Sequence, residues 1–246
     1  MSSYISYPNN YFFDNYPEFY RTSTTSPFPN RLNSRYLALI ESNLAYIQER
    51  TILDIASHDG RWSFAAIKNG AKKVFGVEGR PYLVENAIKN MDRYGISRER
   101  YSFIVGDIYN EITKIEPNVI DTIFCFGFFY HTINHMQLLR EIKRLNPKCI
   151  IFDTSISTIS HLPLIEIKEE DSEDEASSIR SAIDDNLNVL VGYPNKEALT
   201  LMLKHIAFDS LKFYDWHNNV KNWQDLEDYR TYKRISFLAM DCRHLV

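Results

Sequence analysis

The chain has 246 residues, yet no apolar run in it approaches the ~20 residues that a bilayer-crossing helix needs. No membrane association is expected. The N-terminus lacks a basic start followed by an apolar stretch, so no signal peptide is expected either, and the cytoplasm is the expected compartment. Cysteine is scarce: Cys125, Cys149 and Cys242 are far apart and odd in number, and no CxxC pair occurs. That excludes a disulfide framework and argues against structural zinc. There is no basic excess either. Lys and Arg total 28 against 32 Asp and Glu, a formal net charge of −4, which argues against a general basic face for nucleic acid. Nothing in these totals indicates an oligomeric state. What is present is an apolar content of 44%, enough for one good-sized domain with a real core, and many aromatics, with 16 Tyr and 15 Phe.

Many of those aromatics crowd the start. Tyr11, Phe12, Phe13, Tyr16, Phe19 and Tyr20 would be costly to leave in water. Two placements are open: a lid over a site, or packing against the outside of the domain. Residues 1–48 are read as an aromatic lid plus a helix over 32–49, where Leu32, Tyr36, Leu39, Ile40, Leu44 and Ile47 recur at helical spacing. Residues 49–246 are read as the main domain.

That domain opens with an alternation. Strands are predicted at 51–56, 72–78, 101–107, 119–127 and 148–156. Helices are predicted at 61–69, 81–95 and 135–145, with Pro81 opening the second and Gly95 closing it. Such alternation implies right-handed crossovers and an α/β, doubly wound, mostly parallel sheet with helices on both faces. Residues 157–192 break the pattern. Their acidic centre, IEIKEEDSEDEA, is read as a solvated loop or exposed helix face in preference to a site for a basic partner. A helix at 196–206 and strands at 210–216 and 234–241 then suggest an antiparallel hairpin closing one sheet edge.

The stretch LDIASHDGRWSF, residues 53–64, is a strand, a sharp turn and a helix start, the βα turn that cradles nucleotide-like ligands. Asp54 lies near the strand end, and Ala56 and Gly60 are small enough for close approach. Glu78, twenty-four residues after Asp54, ends the second strand, where a carboxylate can hold two ribose hydroxyls. Asp107 ends the third, where a carboxylate can accept from an exocyclic amine. The turn has one glycine where dinucleotide sites have GxGxxG. It also carries an extra acid, Asp59, beside which two phosphates would be repelled. A ligand with a free ammonium, a sulfonium, a ribose and an adenine suits these acids better.

With LDIASHDG (53–60), VFGVEG (74–79), VGDI (105–108) and DTIFCFGFFYH (121–131) in order and spacing, the chain resembles the class I S-adenosylmethionine-dependent methyltransferases over about 45–241. FCFGFFYHT and the segment 192–216 are similar to a branch that includes wobble-uridine tRNA methyltransferase-like proteins and many small-molecule methyltransferases. The resemblance implies a Rossmann-like sheet with a reversed last strand, and S-adenosylmethionine as cofactor. It implies that Asp54 and the backbone of Ala56, Ser57, His58 and Gly60 line the methionine end. Glu78, followed by Gly79, would hold the ribose. Asp107 would bond the adenine amine, with Ile108 packing on the ring. Cys125, Phe126, Gly127 and Phe128 would run past the sulfonium. Ala56 and His58 depart from the family, which usually has glycine at both positions, so the turn geometry is in question. The His58 ring would point away from the cofactor, lie over its carboxylate, or cap the helix.

For the acceptor, Tyr130 and His131 follow the fourth strand on the face of the activated methyl. His131 is read either as a base, because histidine is the residue type suited to proton transfer near neutrality, or as a cap on the helix beginning near Asn134. His131 and His135 lack a nearby third ligand, so no metal is expected. Phe128, Tyr20, Arg31 and Arg230 are candidate substrate contacts, together with Arg35 and the rest of the run EDYRTYKR (227–234). The expected reaction is methyl transfer to N or O of a small-molecule or peptidic acceptor; nucleic acid is not the expected partner, because no dense Lys/Arg cluster interleaved with aromatics is present. A tRNA-modifying enzyme, a nicotinamide oxidoreductase and a non-catalytic binding protein of the same fold stay open as alternatives.

Overall fold

The computed structural model describes residues 11–22, 28–180 and 188–241. Cys242 and the first ten residues lie outside these. After two short 3₁₀ turns, Phe12–Asn15 and Pro17–Tyr20, the chain forms α1 (Pro29–Leu39), β1 (Thr51–Ile55), α2 (Arg61–Lys68), β2 (Lys73–Glu78), α3 (Pro81–Arg93) and β3 (Tyr101–Val105). The one-turn α4 (Ile108–Glu111), β4 (Thr122–Phe126), α5 (His135–Leu145), β5 (Cys149–Ser155), β6 (Ile165–Asp171) and β7 (Asn188–Pro194) follow. The chain continues through α6 (Lys196–His205), β8 (Ser210–Phe213), α7 (Trp216–Asn219), α8 (Glu227–Arg230) and β9 (Arg234–Met240).

Seven strands form one sheet in the order β3-β2-β1-β4-β5-β9-β8. The first five run parallel, and β9 pairs antiparallel with both β5 and β8. The hairpin expected at the edge is therefore present. Period-two alternation divides the core. Ile52, Phe124, Phe126 and Ile151 face α1, α2 and α3, while Leu53, Ile55, Ile123, Cys125, Ile150 and Phe152 face α5 and α6. Strand order reverses between β1 and β4, and a crevice opens at the carboxyl ends there, where ligands bind in open α/β sheets.

Three expectations are corrected. The first helix stops at Leu39 instead of reaching 49, because the Asn43 amide donates to the carbonyls of Ala38 and Leu39 and closes the last turn; a 3₁₀ stretch, Glu41–Tyr46, follows. The aromatic residues of 11–22 pack outside, on the helix layer. Phe12 stacks on Tyr36 at 4.2 Å, and fully buried Phe13 and Phe19 meet Trp62 and Phe64. The acidic stretch is not a loop. It forms β6, paired antiparallel with β7 in a separate ribbon. Its signal was hidden because β6 buries no apolar side chain, with Ile165 and Ile167 exposed, whereas Val189 and Val191 of β7 turn inward. Backbone bonds seat the ribbon: Gly192 N–H donates to the Thr132 carbonyl at 3.1 Å, and the His135 ring meets the Gly192 carbonyl at 3.0 Å.

Candidate active site

The turn after β1 keeps its geometry without its glycines. Ala56, His58 and Gly60 have φ of 54°, 53° and 77°, all left-handed. Such a φ costs a non-glycine residue ~1–2 kcal/mol, so the surroundings must hold it. They do: Ser57 N–H donates to the Val77 carbonyl, and His58 N–H donates to Glu78 Oε2, both at 3.0 Å. The His58 ring lies between two acids, its Nδ1 3.7 Å from Asp59 and its Nε2 3.3 Å from Glu175. Burial opposes its charge, yet Asp59 and Glu175 outweigh burial and raise its pKa.

The two acids of the turn face inward. Asp54 is 1% exposed and accepts from the Ser63 hydroxyl at 2.6 Å. Burial pushes its carboxyl up to about 7. Asp59 is buried against the Arg61 guanidinium, at 2.6 and 2.8 Å, and these contacts hold it well below the usual range despite burial. Neither carboxylate is on the cavity wall, so the electrostatic argument against a pyrophosphate does not rest on them. Asp54 has a thermodynamic consequence. Between about pH 4 and 7 its folded carboxyl keeps a proton that the unfolded chain has released, so this group makes stability fall as pH rises through that window. Asp54→Asn keeps an acceptor for Ser63 and is expected to remove that slope. Thermal unfolding should show the variant gaining on the parent between pH 5 and 8; parallel curves would refute the assignment.

A cavity of about 1100 Å³ opens at the carboxyl ends of β1, β2 and β4. It exceeds the ~300–1,000 Å³ of ordinary ligand pockets, leaving room for a cofactor and an acceptor together. Of the residues expected at a site, the structure brings together Ala56, His58, Glu78, Gly79, Asp107, Ile108, Phe126, Gly127, Phe128, Tyr130, His131 and Arg31 on its wall. Asp54, Ser57 and Gly60 stand behind the turn, where a Cβ on Gly60 would meet Ala87 at 2.9 Å. Cys125 points into the α5 side of the core, since strand alternation exposes Phe126 instead. Tyr20 is tied to Asp14 and Asn33 in the outer layer, and Arg230 is exposed on α8; neither is on the wall.

Glu78 is 5% exposed, and its two oxygens accept from the N–H groups of His58 and Arg80 at 3.0 and 2.9 Å. Each oxygen retains a second lone pair for a ligand hydroxyl. Asp107 is exposed and caps α4 through the Tyr109 N–H at 2.9 Å.

At the β4 and β5 end lies a buried ionic cluster. Asp153, fully buried, accepts from the Arg35 Nε at 2.9 Å, the Tyr229 hydroxyl at 2.9 Å and the Ser236 hydroxyl at 3.0 Å. Arg31 grips Asp228 with two bonds of 2.7 Å. Arg234 Nε is 3.6 Å from both acids, and its NH1 donates to Ser155 at 3.1 Å. Burial raises the Asp153 pKa, but Arg35, Arg234 and Arg31 outweigh it and hold the carboxyl below its usual range. The cluster has three guanidiniums and two carboxylates, a surplus of one positive charge. Arg234 Nε is buried with no hydrogen-bond partner among the described residues, and Arg31, Arg35 and Arg234 all reach the wall.

His131 does not cap α5, which has Asn134 at its N-cap. It sits in a 3₁₀ turn, and its Nδ1 is 2.6 Å from Glu170 Oε2 on the ribbon. Beyond β6 the ribbon's loop arches over the cavity. Arg80 donates to the carbonyls of Ser172, Asp174 and Ser177, and Ile179 sits on Gly79, where a Cβ would be only 2.4 Å from its Cδ1. Among the described residues no cluster of three His, Cys, Asp or Glu could hold a metal ion, and no helix is long and apolar enough to cross a membrane.

Comparison with known proteins accords with this geometry. A family profile described as "Methyltransferase domain" matches residues 48–227, and the chain belongs to that family, the S-adenosylmethionine-dependent methyltransferases. Two curated relatives are tRNA U34 carboxymethyltransferases. That of Nautilia profundicola is 25% identical over 191 residues, covering 75% of this chain and 54% of its own, and that of Trichodesmium erythraeum is 27% identical over 119 residues, covering 43% and 32%. The chain thus spans about half the length of the first and a third of the second. The N-terminal domain of EvdMO1, solved with SAH bound, has the same fold, with a TM-score of 0.62 at 17% identity over 90% of this chain and 83% of that one.

S-adenosylmethionine is the cofactor of this family, and the wall suits it. Gly127, in the left-handed region at φ 82°, leaves the backbone open, and Glu78 is a carboxylate with lone pairs to spare. Glu78→Ala is expected to weaken SAH binding well over tenfold, the cost of losing a charged hydrogen-bond acceptor. Calorimetry gives the answer, and unchanged affinity would remove Glu78 from the ribose.

Proposed function

We propose that the protein transfers a methyl group from S-adenosylmethionine to an N or O atom of a small or peptidic acceptor that carries an anionic group. The observation that carries this reading is the arginine cluster beside Gly127, with its surplus charge and the buried Arg234 guanidinium at the wall. A desolvated guanidinium with unused donors favours a carboxylate or phosphate. Glu78, Asp107 and Ile108 would hold ribose and adenine, and Phe126 to Phe128 would pass the sulfonium. The bound cofactor supplies an electrophilic methyl on sulfur. His131 takes the acceptor's proton, and Phe128 and Tyr130 position the acceptor. The acidic ribbon and its loop, from Glu166 to Glu175 with Glu175 at the cavity wall, would repel a polyphosphate backbone, which supports a small acceptor over RNA.

A second reading has one observation in its favour. Two relatives are named for carboxymethyl transfer to a tRNA uridine, and a carboxymethyl group ends in a carboxylate that the same arginines would suit. The deciding experiment supplies cofactor labelled at the methyl group to the purified protein with a panel of hydroxy and amino carboxylic acids and, separately, with bulk tRNA. Label in the acids supports the first reading. Label in tRNA alone overturns it.

A further inference from the structure

The proposed base has a partner that the motif around it does not contain. His131 Nδ1 and Glu170 Oε2 are 2.6 Å apart, both side chains are 12% exposed, and His131 lies at the wall of the cavity. Glu170 is itself held. The Ser178 N–H donates to its Oε2 at 3.0 Å and the Tyr193 hydroxyl to its Oε1 at 3.1 Å. With Nδ1 these make three donors to the carboxylate, which favours its ionised, acceptor-only form. Desolvation raises its pKa, but the bond from His131 outweighs this and the pKa lies below the usual range.

The consequence for the ring follows from elementary bonding. A neutral imidazole carries one N–H, and an ionised carboxylate can only accept. Nδ1 must therefore carry the proton, which leaves Nε2 with a free lone pair. A free histidine does not hold this tautomer by itself; the carboxylate selects it. Tyr130 lies beside the ring, centroids 4.0 Å apart and tilted by 40°, and Tyr130 in turn meets Tyr193 at 5.1 Å. The ring is thus flanked by one aromatic and fixed at one end by Glu170.

We propose that Glu170 is a positioning residue for this enzyme: it holds His131 in the Nδ1–H tautomer, so that Nε2 takes the acceptor's proton only when the β6–β7 ribbon is seated over the cavity. The reading rests on the methyl-transfer function proposed above. The balance is simple. The acceptor's N–H or O–H bond breaks toward Nε2 and its electron pair forms the bond to the methyl carbon. The pair of the carbon–sulfur bond returns to sulfur, which becomes a neutral thioether. The imidazolium so formed lies against the Glu170 carboxylate, and its proton leaves to water afterwards.

The ribbon makes this a coupled arrangement. Its far end is pinned by Arg80 and by the Glu175 contact to His58 on the cofactor turn. Its near end is pinned by Gly192 to Thr132 and His135, and its middle carries Glu170. One element therefore covers the cofactor side and completes the base.

The test reads the tautomer directly. Protein labelled with ¹⁵N-histidine, with His131 assigned by its absence in His131→Ala, gives a long-range proton–nitrogen spectrum that distinguishes Nδ1–H from Nε2–H. The expected result is Nδ1–H in the parent, and Nε2–H or a mixture in Glu170→Ala. In that variant kcat should fall on the order of tenfold to a hundredfold, less than the 10²–10⁴ that a positioned base contributes because the base itself is kept, while SAH affinity and KM for the cofactor stay as in the parent. A purely structural role for Glu170 would move affinity and unfolding temperature together with kcat, and leave the tautomer alone. Tyr193→Phe, which loosens the carboxylate without removing it, should give a smaller kcat loss with the tautomer kept. An Nε2–H tautomer in the parent, or an unchanged kcat in Glu170→Ala, overturns the proposal. Full turnover in His131→Ala overturns its catalytic half by removing the base, and is told apart because the parent spectrum does not depend on any acceptor.

Discussion

A His131→Ala variant is expected to lose roughly 10²–10⁴-fold in kcat while binding SAH as tightly as the parent, because a positioned base contributes that much to a proton-coupled step. Retained affinity follows from the cofactor placement proposed above. Glu78, Asp107 and the turn follow β2, β3 and β1, and His131 follows β4. Removing the His131 ring would then leave the proposed cofactor contacts in place. It also leaves Glu170 with the Ser178 and Tyr193 donors, so the ribbon keeps two of its three bonds there. The measurement is steady-state kinetics on the acceptor found in the labelling experiment, with calorimetry on SAH beside it. Loss of kcat with affinity retained supports the base. Retained kcat would show an acceptor that needs no base, such as an amine already deprotonated.

The second large effect is on stability. Asp153→Ala is expected to cost about 3–5 kcal/mol and to lower the unfolding temperature by about 10 °C, since breaking a buried ion pair leaves charges without compensation. Asp153 is 0% exposed and Arg35 is 8% exposed, and Tyr229 and Ser236 also give their hydroxyl bonds to it. Removing the carboxylate leaves the Arg35 and Arg234 guanidiniums buried with mutual repulsion. A cycle with Arg35→Met separates this from cavity formation. If the cost is the orphaned charge, the double variant should be more stable than Asp153→Ala alone. Additive losses would mean that the cluster acts as ordinary packing.

Much of the architecture could be read from the residues. The order of strands and helices, the reversed final strand and the carboxylates at strand ends follow from hydrophobic period and from acids placed where the sheet opens. Helix α5 matched its predicted span because its apolar stripe and the Pro147 stop are both local signals. The first helix was overextended because the side chain that ends it, Asn43, reads like any polar residue until its bonds to Ala38 and Leu39 exist. Ala56 and His58 raised a doubt about the turn that the sequence could not resolve. What holds their left-handed backbone is Glu78 and Val77 on a neighbouring strand. Tyr20 and Arg230 were placed by proximity in the chain to functional segments, and the packing of the outer layer and the exposed face of α8 took them elsewhere.

By itself, the sequence determined the class of fold, the strand–turn–helix after β1 and the end of the sheet at which the cavity opens, because these depend on local period and on residue types at strand ends. Tertiary structure alone decided the partners. It turned Asp54 and Asp59 inward, one with its pKa pushed up to about 7 by burial and the other paired with Arg61, and left Glu78 and Asp107 as the strand-end carboxylates at the wall. It gathered Arg31, Arg35, Asp153, Asp228 and Arg234 from four separate segments into one charged cluster. It folded an acidic stretch into a ribbon that brings Glu170 onto His131, thirty-nine positions away in the chain. Charge pairing across such separations leaves no period in the sequence. It exists only once the backbone has brought low-dielectric surroundings and opposite charges together.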